Sequence, residues 1–419
     1  MKYALVILFT ITISISNGQW IEQNTLNNNS PKKFNFITDD LGYSLGTAGS
    51  DEHILKTING GSSWSDINLP GVVEIFDFHF YQDAHGVIFC QGTSDPIQIY
   101  QTIDDGINWT NITPDSISNA IWVTAGNNSA IHFVNDNVGF IGKGGLLSKT
   151  IDGGATWNEY ILDVSSQGWQ DYFGIGDVHF YDENNGVMGL MGGIFFYGGA
   201  MFVTSNGGNT WKEKYLGDPG SGIGKVIQAS ETTSYAAPVK WGGMLSLELY
   251  KTTNSGATWE TIYVPDTIVG SGISDYDFYD ENYGVVVLEV GSEYILYSTI
   301  DGGETWIHCG NLENLGAGII ENQDIEITAN SGFVTGEFES FFKLSQGYSS
   351  LVIEENVDKK LVVYPNPVES GGLIYFKNEN NLKDIDIVNL IGEVVYVAND
   401  IDSSLQLPNL LPGIYFIQT

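Results

Sequence analysis

Apolar positions in this chain recur at regular intervals and are separated by polar turns that contain glycine. An apolar residue is followed six positions later by glycine at Phe36/Gly42, Phe80/Gly86, Phe133/Gly139, Phe180/Gly186 and Phe278/Gly284. Asp, Asn and Glu fill the gap, as in FYDENNG and FYDENYG. Turn-forming residues between apolar runs are typical of two antiparallel strands joined by a tight connection. The pattern therefore predicts a strand, a turn and the start of a second strand in each repeat.

An eight-residue phrase recurs in step with this pattern and begins, for example, at Thr150. Its third residue is Asp or Asn, whose short side chain can accept hydrogen bonds from the backbone of its own turn. Its fifth residue is Gly, which tolerates backbone conformations that a Cβ resists, and its eighth is Trp, a large apolar anchor. The six copies place these residues at Asn59, Asp104, Asp152, Asn206, Asn254 and Asp301, and at Trp64, Trp109, Trp157, Trp211, Trp259 and Trp306.

The distance between successive copies predicts the architecture. Trp-to-Trp spacings run from 45 to 54 residues, which is the period of a four-stranded propeller blade. Less regular copies near Ser230–Ala236 and Ile327–Gly332 raise the count to seven. Trp20–Gln23 resembles the strand that follows each phrase. We therefore predict an all-β, seven-bladed β-propeller over residues 19–347, in which the N-terminal strand completes the last blade.

The phrase resembles the Asp-box, also called the bacterial neuraminidase (BNR) repeat. The repeats are also similar to the photosystem II assembly factor Ycf48 and to the sortilin-like group of propellers. This resemblance implies that the boxes lie on one face, and that the opposite face, which carries the connections between blades, holds the ligand. The role of Ycf48 is not carried over, because it uses a basic patch that this acidic chain lacks.

Both ends of the chain carry export signals. Residues 1–18 have a lysine followed by a short apolar run and small residues, as in a secretory signal peptide. After a linker at 348–360, the segment 361–419 begins with LVVYPNP and ends with LLPGIYFIQ. These motifs resemble the type A sorting domain of the type IX secretion system. The resemblance implies a small Ig-like β-sandwich, the translocon and a sortase as partners, and a secreted or outer-membrane surface location. Family members carry a further strand, so we expect this domain to be incomplete at its end.

The charge narrows the range of partners. The chain has 51 acidic and 16 basic residues, and every basic residue is lysine. A net charge of −35 argues against nucleic acid and anionic membranes as partners. Sialidases hold their substrate carboxylate with three arginines, and lysine does not reproduce the bidentate guanidinium. The sequence therefore argues against a sialidase, and no stretch is long enough to predict a transmembrane segment.

Two kinds of binding residue are predicted. Aromatic residues outside the boxes, on the connections, could stack on sugar rings or on a protein: Trp122, Trp169, Tyr172 and Trp241. The favoured function is non-catalytic binding of polysaccharide or a surface protein. The alternative is a glycoside hydrolase, which needs two carboxylates across a cleft. No spacing singles out such a pair, so the catalytic residues are unassigned.

A second set consists of Asp77, Asp177, Asp275 and Asp324, each three residues before the apolar position of a first strand. These residues could form carboxylates at the mouth of a central channel and bind Ca²⁺, which favours several oxygen ligands. The favoured interpretation is that each caps the entry of its strand, with no metal or cofactor. His79, His132 and His179 recur one position before the same apolar residue and are interpreted as part of the repeat.

Overall fold

The computed structural model describes residues 6–9, 20–23, 30–48, 51–69, 71–92, 97–114, 129–161, 174–191, 199–215, 221–240, 246–264, 272–291, 293–312, 324–335, 341–344, 362–364, 373–377, 382–389, 394–401, 404–408 and 414–418. These residues form strands and turns and contain no helix. Accordingly, the described part of the chain offers no helix that could cross a membrane. The chain divides into a unit spanning Asn17–Tyr348 and a second unit made of Met1–Ser16 and Ser349–Thr419.

The larger unit is a seven-bladed β-propeller, and each blade is a four-stranded antiparallel sheet. With strands numbered in chain order, β1 (Val6–Phe9) lies in the other unit and β2 (Trp20–Gln23) opens the propeller. Blades one to three comprise β3 (Ser30–Phe36), β4 (Gly42–Ala48), β5 (Asp51–Thr57) and β6 (Ser65–Ile67); β7 (Val72–Gln82), β8 (His85–Gly92), β9 (Gln98–Thr102) and β10 (Thr110–Asn111); and β11 (Ser129–Phe133), β12 (Gly139–Lys143), β13 (Leu146–Thr150) and β14 (Asn158–Ile161).

The remaining blades repeat this order. Blades four to six comprise β15 (Gly174–Phe180), β16 (Gly186–Met191), β17 (Ala200–Thr204) and β18 (Lys212–Tyr215); β19 (Ser221–Gln228), β20 (Ser234–Lys240), β21 (Glu248–Thr252) and β22 (Glu260–Tyr263); and β23 (Gly272–Phe278), β24 (Gly284–Val290), β25 (Glu293–Thr299) and β26 (Ile307–Leu312). The seventh blade holds β27 (Ile325–Ile327), β28 (Gly332–Thr335), β29 (Phe341–Leu344) and β2.

The seventh blade closes the ring with the N-terminal strand, which confirms the predicted closure. β2 runs antiparallel to β29, with Trp20 opposite Leu344 and Gln23 opposite Phe341. The two ends of the propeller therefore share one sheet. Closure matters because an open end would leave unpaired backbone groups at the edge of a sheet.

The six-residue spacing from apolar residue to glycine has a steric cause. Phe133 on β11 lies directly opposite Gly139 on β12. A Cβ added to Gly139 would lie 2.5 Å from the Phe133 ring, closer than side-chain atoms pack. The same clash would arise at Gly42, Gly86, Gly186 and Gly284 with the phenylalanine opposite each. Glycine is therefore required at these positions because the aromatic ring occupies the space above its Cα.

The same phenylalanines join neighbouring blades. Tyr43 on β4 stacks on Phe80 on β7, with 3.7 Å between ring centroids. Equivalent stacks are formed by Phe140 and Phe180 at 3.6 Å, by Tyr235 and Phe278 at 3.6 Å, and by Phe333 and Phe36 at 3.5 Å. The last of these pairs connects the seventh blade to the first. Aromatic packing therefore continues across the point where the ring closes.

Each box forms a closed turn that docks on the preceding blade. In the third copy, Asp152 Oδ1 accepts the Thr156 N–H at 2.8 Å, and Asp152 Oδ2 accepts the Thr156 hydroxyl at 2.6 Å. Gly153 and Gly154 adopt positive φ angles of 68° and 86°, which favour glycine. Trp157 Nε1 donates to the Ile112 carbonyl of the second blade at 2.9 Å. The box therefore fastens two blades together.

Strand direction puts the boxes and the turns between first and second strands on one side of the ring, which we call the box face. Backbone bonds from Gly153 N to Asn137 O at 2.9 Å and from Gly302 N to Asn282 O at 2.7 Å join these two kinds of turn directly. The connections between blades and the turns between second and third strands belong to the opposite side, which we call the loop face.

The smaller unit contains two sheets. One has the order β30 (Val362–Tyr364), β31 (Leu373–Lys377) and β34 (Ser404–Gln406). The other has the order β1, β35 (Ile414–Gln418), β32 (Leu382–Asn389) and β33 (Val394–Ile401). β1 lies within the predicted signal peptide and pairs in parallel with β35. The described part of this unit is therefore all-β, as the sequence predicts.

We expect Gly139→Ala to lower the free energy of unfolding of the propeller by about 1–3 kcal/mol, because the added methyl must displace the buried Phe133 ring. Chemical denaturation monitored by tryptophan fluorescence measures this change. Gly145→Ala in the same blade is the matched control, since a methyl group added there would meet no atom within 4 Å. Equal stability of the two variants would contradict the steric explanation.

Candidate functional site: the central channel

The first strands of the blades surround the axis of the ring. Successive first strands contact one another, as in β7 with β11, β15 with β19, and β27 with β3. Two rings of side chains recur on these strands. The upper ring, three residues before the repeated apolar position, contains Lys33, Asp77, Ala130, Asp177, Lys225, Asp275 and Asp324. The lower ring, one residue before it, contains Asn35, His79, His132, His179, Ile227, Asp277 and Glu326. We call the two rings together the channel cluster.

The four aspartates identified from the sequence lie in the upper ring, and each binds the backbone of the next blade. Their carboxylates accept N–H hydrogen bonds from Ile131 to Asp77 at 3.1 Å, from Val226 to Asp177 at 3.0 Å, from Ile325 to Asp275 at 2.7 Å and from Phe34 to Asp324 at 2.6 Å. Asp77 and Asp177 also accept the N–H of the following residue in their own strand. These carboxylates therefore fasten neighbouring first strands together.

The lower ring makes the same kind of bond with other residue types. Backbone N–H groups of the next blade donate from Phe80 to Asn35 Oδ1 at 2.6 Å, from Phe133 to His79 Nδ1 at 3.0 Å, from Gln228 to His179 Nδ1 at 2.8 Å and from Ile327 to Asp277 Oδ2 at 2.7 Å. Because His79 and His179 accept at Nδ1, a neutral ring carries its proton on Nε2. His79 and His179 are thus inter-blade acceptors, whereas His132, the third histidine of the repeat, donates from Nε2 to the Phe180 carbonyl of the next blade at 3.0 Å.

Three histidines pack in a row on the second, third and fourth blades: His79 and His132 are stacked, whereas His132 and His179 meet edge to face. The ring centroids of His79 and His132 are 4.5 Å apart, and those of His132 and His179 are 4.8 Å apart. Burial, reinforced by positive charge on neighbouring groups, lowers the pKa of His79 to about 3 and that of His179 to about 4. Burial also lowers the pKa of His132 well below its usual value. All three imidazole rings are therefore neutral at physiological pH.

Two lysines supply the positive charge of the channel. Lys33 Nζ lies 2.6 Å from Asp77, and Lys225 Nζ lies 2.9 Å from Asp275 and 4.0 Å from Asp324. Burial works against the charged ammonium groups, but the surrounding carboxylates outweigh it and raise the pKa of both lysines. Both lysines therefore stay charged, and each stands beside a carboxylate of the following blade.

Three carboxyl groups of the channel cluster, those of Asp277, Asp324 and Glu326, hold their protons unusually tightly. Burial raises the pKa of Asp277 to about 6 and that of Asp324 to about 7, although Lys225 works in the opposite direction. Burial and the charges of Asp277 and Asp324 raise the pKa of Glu326 well above its usual value. The channel cluster therefore holds six acidic side chains beside two lysines by keeping part of the carboxyl groups protonated near neutral pH.

The geometry of the channel cluster is that of a hydrogen-bond network that joins blades. Among the described residues, no group of three or more His, Cys, Asp or Glu side chains is arranged to hold a metal ion. The predicted loop-face residues Trp122, Trp169, Tyr172 and Trp241 lie outside the described residues. The sequence analysis did not single out Lys33, Lys225, Asp277 or Glu326. The sequence could have identified them, because they occupy the same two positions of the repeat as the aspartates and histidines.

The aspartate and asparagine residues of the other boxes close their turns in the same way as Asp152. Asp104 accepts the Asn108 N–H and Asp301 the Thr305 N–H, both at 2.8 Å. At the three copies with asparagine, Oδ1 accepts an N–H and Nδ2 donates to a hydroxyl: Asn59 with Ser63, Asn206 with Thr210 and Asn254 with Thr258. Asparagine can therefore replace aspartate in the box. Its Nδ2 donates to the hydroxyl oxygen at the place where an aspartate Oδ2 accepts from the hydroxyl group.

Comparison with known proteins supports both units. Residues 362–419 match the family model described as the secretion system C-terminal sorting domain. A comparison with curated proteins found no match. Among solved structures, the chain is similar to YCF48 bound to D1 peptide, with a TM-score of 0.51, 13% identity, and 82% of this chain and 97% of the other covered. YCF48 from Cyanidioschyzon merolae gives a TM-score of 0.53, 18% identity, and coverage of 78% and 98%.

A third similar structure is the GH74 xyloglucanase from Xanthomonas campestris, with a TM-score of 0.53 and 13% identity. The match covers 93% of this chain but only 62% of the xyloglucanase. At these identities the likeness establishes the fold alone. The fold and the sorting domain together define a seven-bladed β-propeller that is exported to the cell surface or secreted.

The channel cluster predicts an unusual dependence of stability on pH. A carboxyl whose pKa is raised in the folded state binds more protons there than in the unfolded chain, so its contribution to stability falls as pH rises from about 4 to about 7. Asp324→Asn removes this titration and retains an oxygen acceptor for the Phe34 N–H. We expect the stability of this variant relative to the native chain to improve by roughly 1 kcal/mol between pH 5 and pH 8.

Urea denaturation at each pH measures this difference. Glu213→Gln is the control, because Glu213 is exposed on the outer strand β18. A stability difference between Asp324→Asn and the native chain that stays constant with pH, or that moves against the variant as pH rises, would contradict the assignment of a raised pKa to Asp324.

Proposed function

We propose that this protein is a surface or secreted binding module that holds a glycan or a protein on its loop face without chemical turnover. The observation that carries the proposal is the difference between the two faces. Turns on the box face are short and closed by their own hydrogen bonds, as at Asp152 and Asp301. The long connections, including those between β10 and β11 and between β14 and β15, join strands at the other face. Ligand-binding residues usually lie on such connections, held by a rigid scaffold.

The aromatic content of these connections supports a sugar or protein ligand. Trp169 and Tyr172 occur in the segment between β14 and β15, and Trp122 occurs between β10 and β11. Large aromatic side chains bury a large apolar area and retain one polar atom for a directional hydrogen bond. Export by the sorting domain would deliver such a site to the polysaccharides and proteins outside the cell. We further propose that a sortase removes this domain after translocation.

The described carboxylates argue for binding rather than hydrolysis. A glycoside hydrolase needs one carboxyl group as an acid and a second as a base or nucleophile on opposite sides of a sugar. Asp77, Asp177 and Asp275 are instead engaged with backbone N–H groups of the neighbouring blade. Five aspartates of the connections between blades, which could supply such a pair, lie outside the described residues: Asp115, Asp163, Asp171, Asp218 and Asp266. The likeness to a xyloglucanase keeps hydrolysis as the alternative outcome of the test below.

The test combines a glycan array with an assay of reducing-sugar release on the same polysaccharides, using the native chain. We expect binding without release. Trp169→Ala should weaken binding of the best glycan at least about tenfold, by analogy with the stacking of a nucleic-acid base on one aromatic ring, which is worth on the order of 1–3 kcal/mol. Tyr263→Ala, an exposed aromatic on the outer strand β22, is the matched control and should bind normally.

Release of reducing sugar that is abolished by a single Asp→Asn change on the loop face would overturn the binding proposal in favour of a hydrolase. If no glycan binds, pull-down of surface proteins with the native chain and the Trp169→Ala variant distinguishes a protein ligand from a wrongly assigned face. Retention of every captured protein by the variant would reject the role of Trp169.

A further inference from the structure

The box face carries a set of apolar side chains that the packing of the propeller does not use. Its exposed members are Ile58, Ile103, Ile107, Ile151 and Ile300, which are 73%, 60%, 77%, 61% and 47% exposed. Four of them occupy the second position of a box. Tyr181 and Tyr279, at 54% and 52% exposure, lie on turns between first and second strands of the same face. A single exposed apolar residue needs no explanation, but extended apolar surface marks interaction sites, and here exposed apolar side chains recur on the same face of five blades.

The polar surroundings of these side chains are acidic. Exposed carboxylates lie on the box-face turns of the first six blades: Asp40, Asp83, Asp152, Glu183, Glu231, Glu281 and Glu304. Direct contacts make the face continuous from blade to blade. Asn135 donates to Glu183 at 2.8 Å between the third and fourth blades, and Asn330 donates to Asp39 at 2.8 Å between the seventh and first.

Four lysines lie buried or half-buried beneath the surface of this face. Lys149, Lys251 and Lys343 each donate to the carbonyl of a box glycine in the next blade, at 2.7 Å, 2.9 Å and 2.7 Å. Each also lies over an aromatic ring of its own blade, 5.3 to 5.6 Å from the centroid. Lys56 is only 12% exposed and is bound by Asp83 and Asp105. Lys212, by contrast, is exposed and donates to the Ser255 carbonyl in the box of the fifth blade at 3.0 Å. Most of the lysine charge near this face is therefore paired or covered, and exposed carboxylates outnumber exposed lysines.

We propose that the box face is a second interaction surface, which binds a polypeptide segment carrying lysine or arginine among apolar side chains. Charge complementarity selects this partner. A second copy of the chain, at a net charge of −35, and anionic polysaccharide or nucleic acid would be repelled. A purely cationic ligand would satisfy the carboxylates but would leave the isoleucines in water. This surface lies on the opposite side of the propeller from the proposed ligand face and is independent of that proposal.

The experiment uses the full chain and two fluorescent synthetic peptides of equal charge, one of lysine and leucine and one of lysine and serine. Fluorescence anisotropy measures their affinities. We expect the lysine–leucine peptide to bind at least about tenfold more tightly. Raising the salt concentration from about 50 to about 300 mM should weaken both peptides, because surface charge attraction is screened.

The triple variant Ile58→Thr, Ile103→Thr and Ile151→Thr tests the location of this binding. The boxes accept hydroxyl side chains at this position, since the fourth and fifth copies carry Ser205 and Thr253. We expect the variant to lose the preference for leucine over serine while its net charge stays the same. Tyr263→Thr, away from the box face, and Trp169→Ala on the loop face should both keep the preference. Equal binding of the two peptides to the native chain, or an undiminished preference in the triple variant, would overturn the proposal.

Discussion

The pairing of the first strand of the propeller with the last blade is the constraint on which the rest of the molecule depends. β2 supplies the outer strand that β29 lacks and leads along the chain into β3 of the first blade, so the sheet of the seventh blade joins the two ends of the propeller. The stack of Phe36 on Phe333 and the bond from Phe34 N to Asp324 then form across the closure. Bonds from Asn330 to Asp39 and from Lys343 to Gly60 cross the same junction, and the pairing of β2 with β29 holds all of these contacts together.

The polar interior of the ring follows from this geometry. First strands converge on the axis, where each must satisfy backbone N–H groups that no neighbouring strand pairs. Side chains of the preceding blade provide the acceptors, and aspartate, histidine and asparagine all serve. The resulting concentration of acids is tolerated because Lys33 and Lys225 are placed among them and because Asp324 and Glu326 retain their protons more readily than in water. The channel thus joins the blades, but the contribution of Asp324 to stability falls as pH rises toward neutrality.

The sequence was sufficient to predict the number of blades, the closure by Trp20–Gln23 and the all-β character of the part of the chain that the structure describes. These features leave periodic traces, because every blade repeats the same glycine and the same tryptophan. The sequence also singled out Asp77 and Asp324 as equivalent positions of the repeat, although it favoured strand caps over a cation site at the mouth of the channel. It did not reveal that His79 and Asp277 both accept a backbone N–H group of the next blade, because these two residues share a position in the repeat but not a residue type. The partners of these side chains are backbone N–H groups, which leave no mark on the amino-acid sequence.

The proposed ligand face could not be derived in the same way. Trp169 and Trp241 belong to connections that differ in length and composition from blade to blade, so no repeat predicts which of them converge. The box face, in contrast, can be derived from the repeat. The second residue of every box is exposed, and the ring geometry brings Ile58, Ile103 and Ile151 to the same side. The repeated blade sequence therefore determines the box face, whereas the loop face depends on connections whose sequences are not repeated.

Native-state hydrogen exchange of the strand Trp20–Gln23 tests the account most directly. If this strand closes the ring, its amides should exchange at the same slow rate as those of Phe341–Leu344, because the two open together. Deleting residues 20–23 should then remove the protection of β27, β28 and β29 as well. Rapid exchange of Trp20–Gln23 beside a fully protected β29, or unchanged protection of the seventh blade after the deletion, would contradict the closed ring.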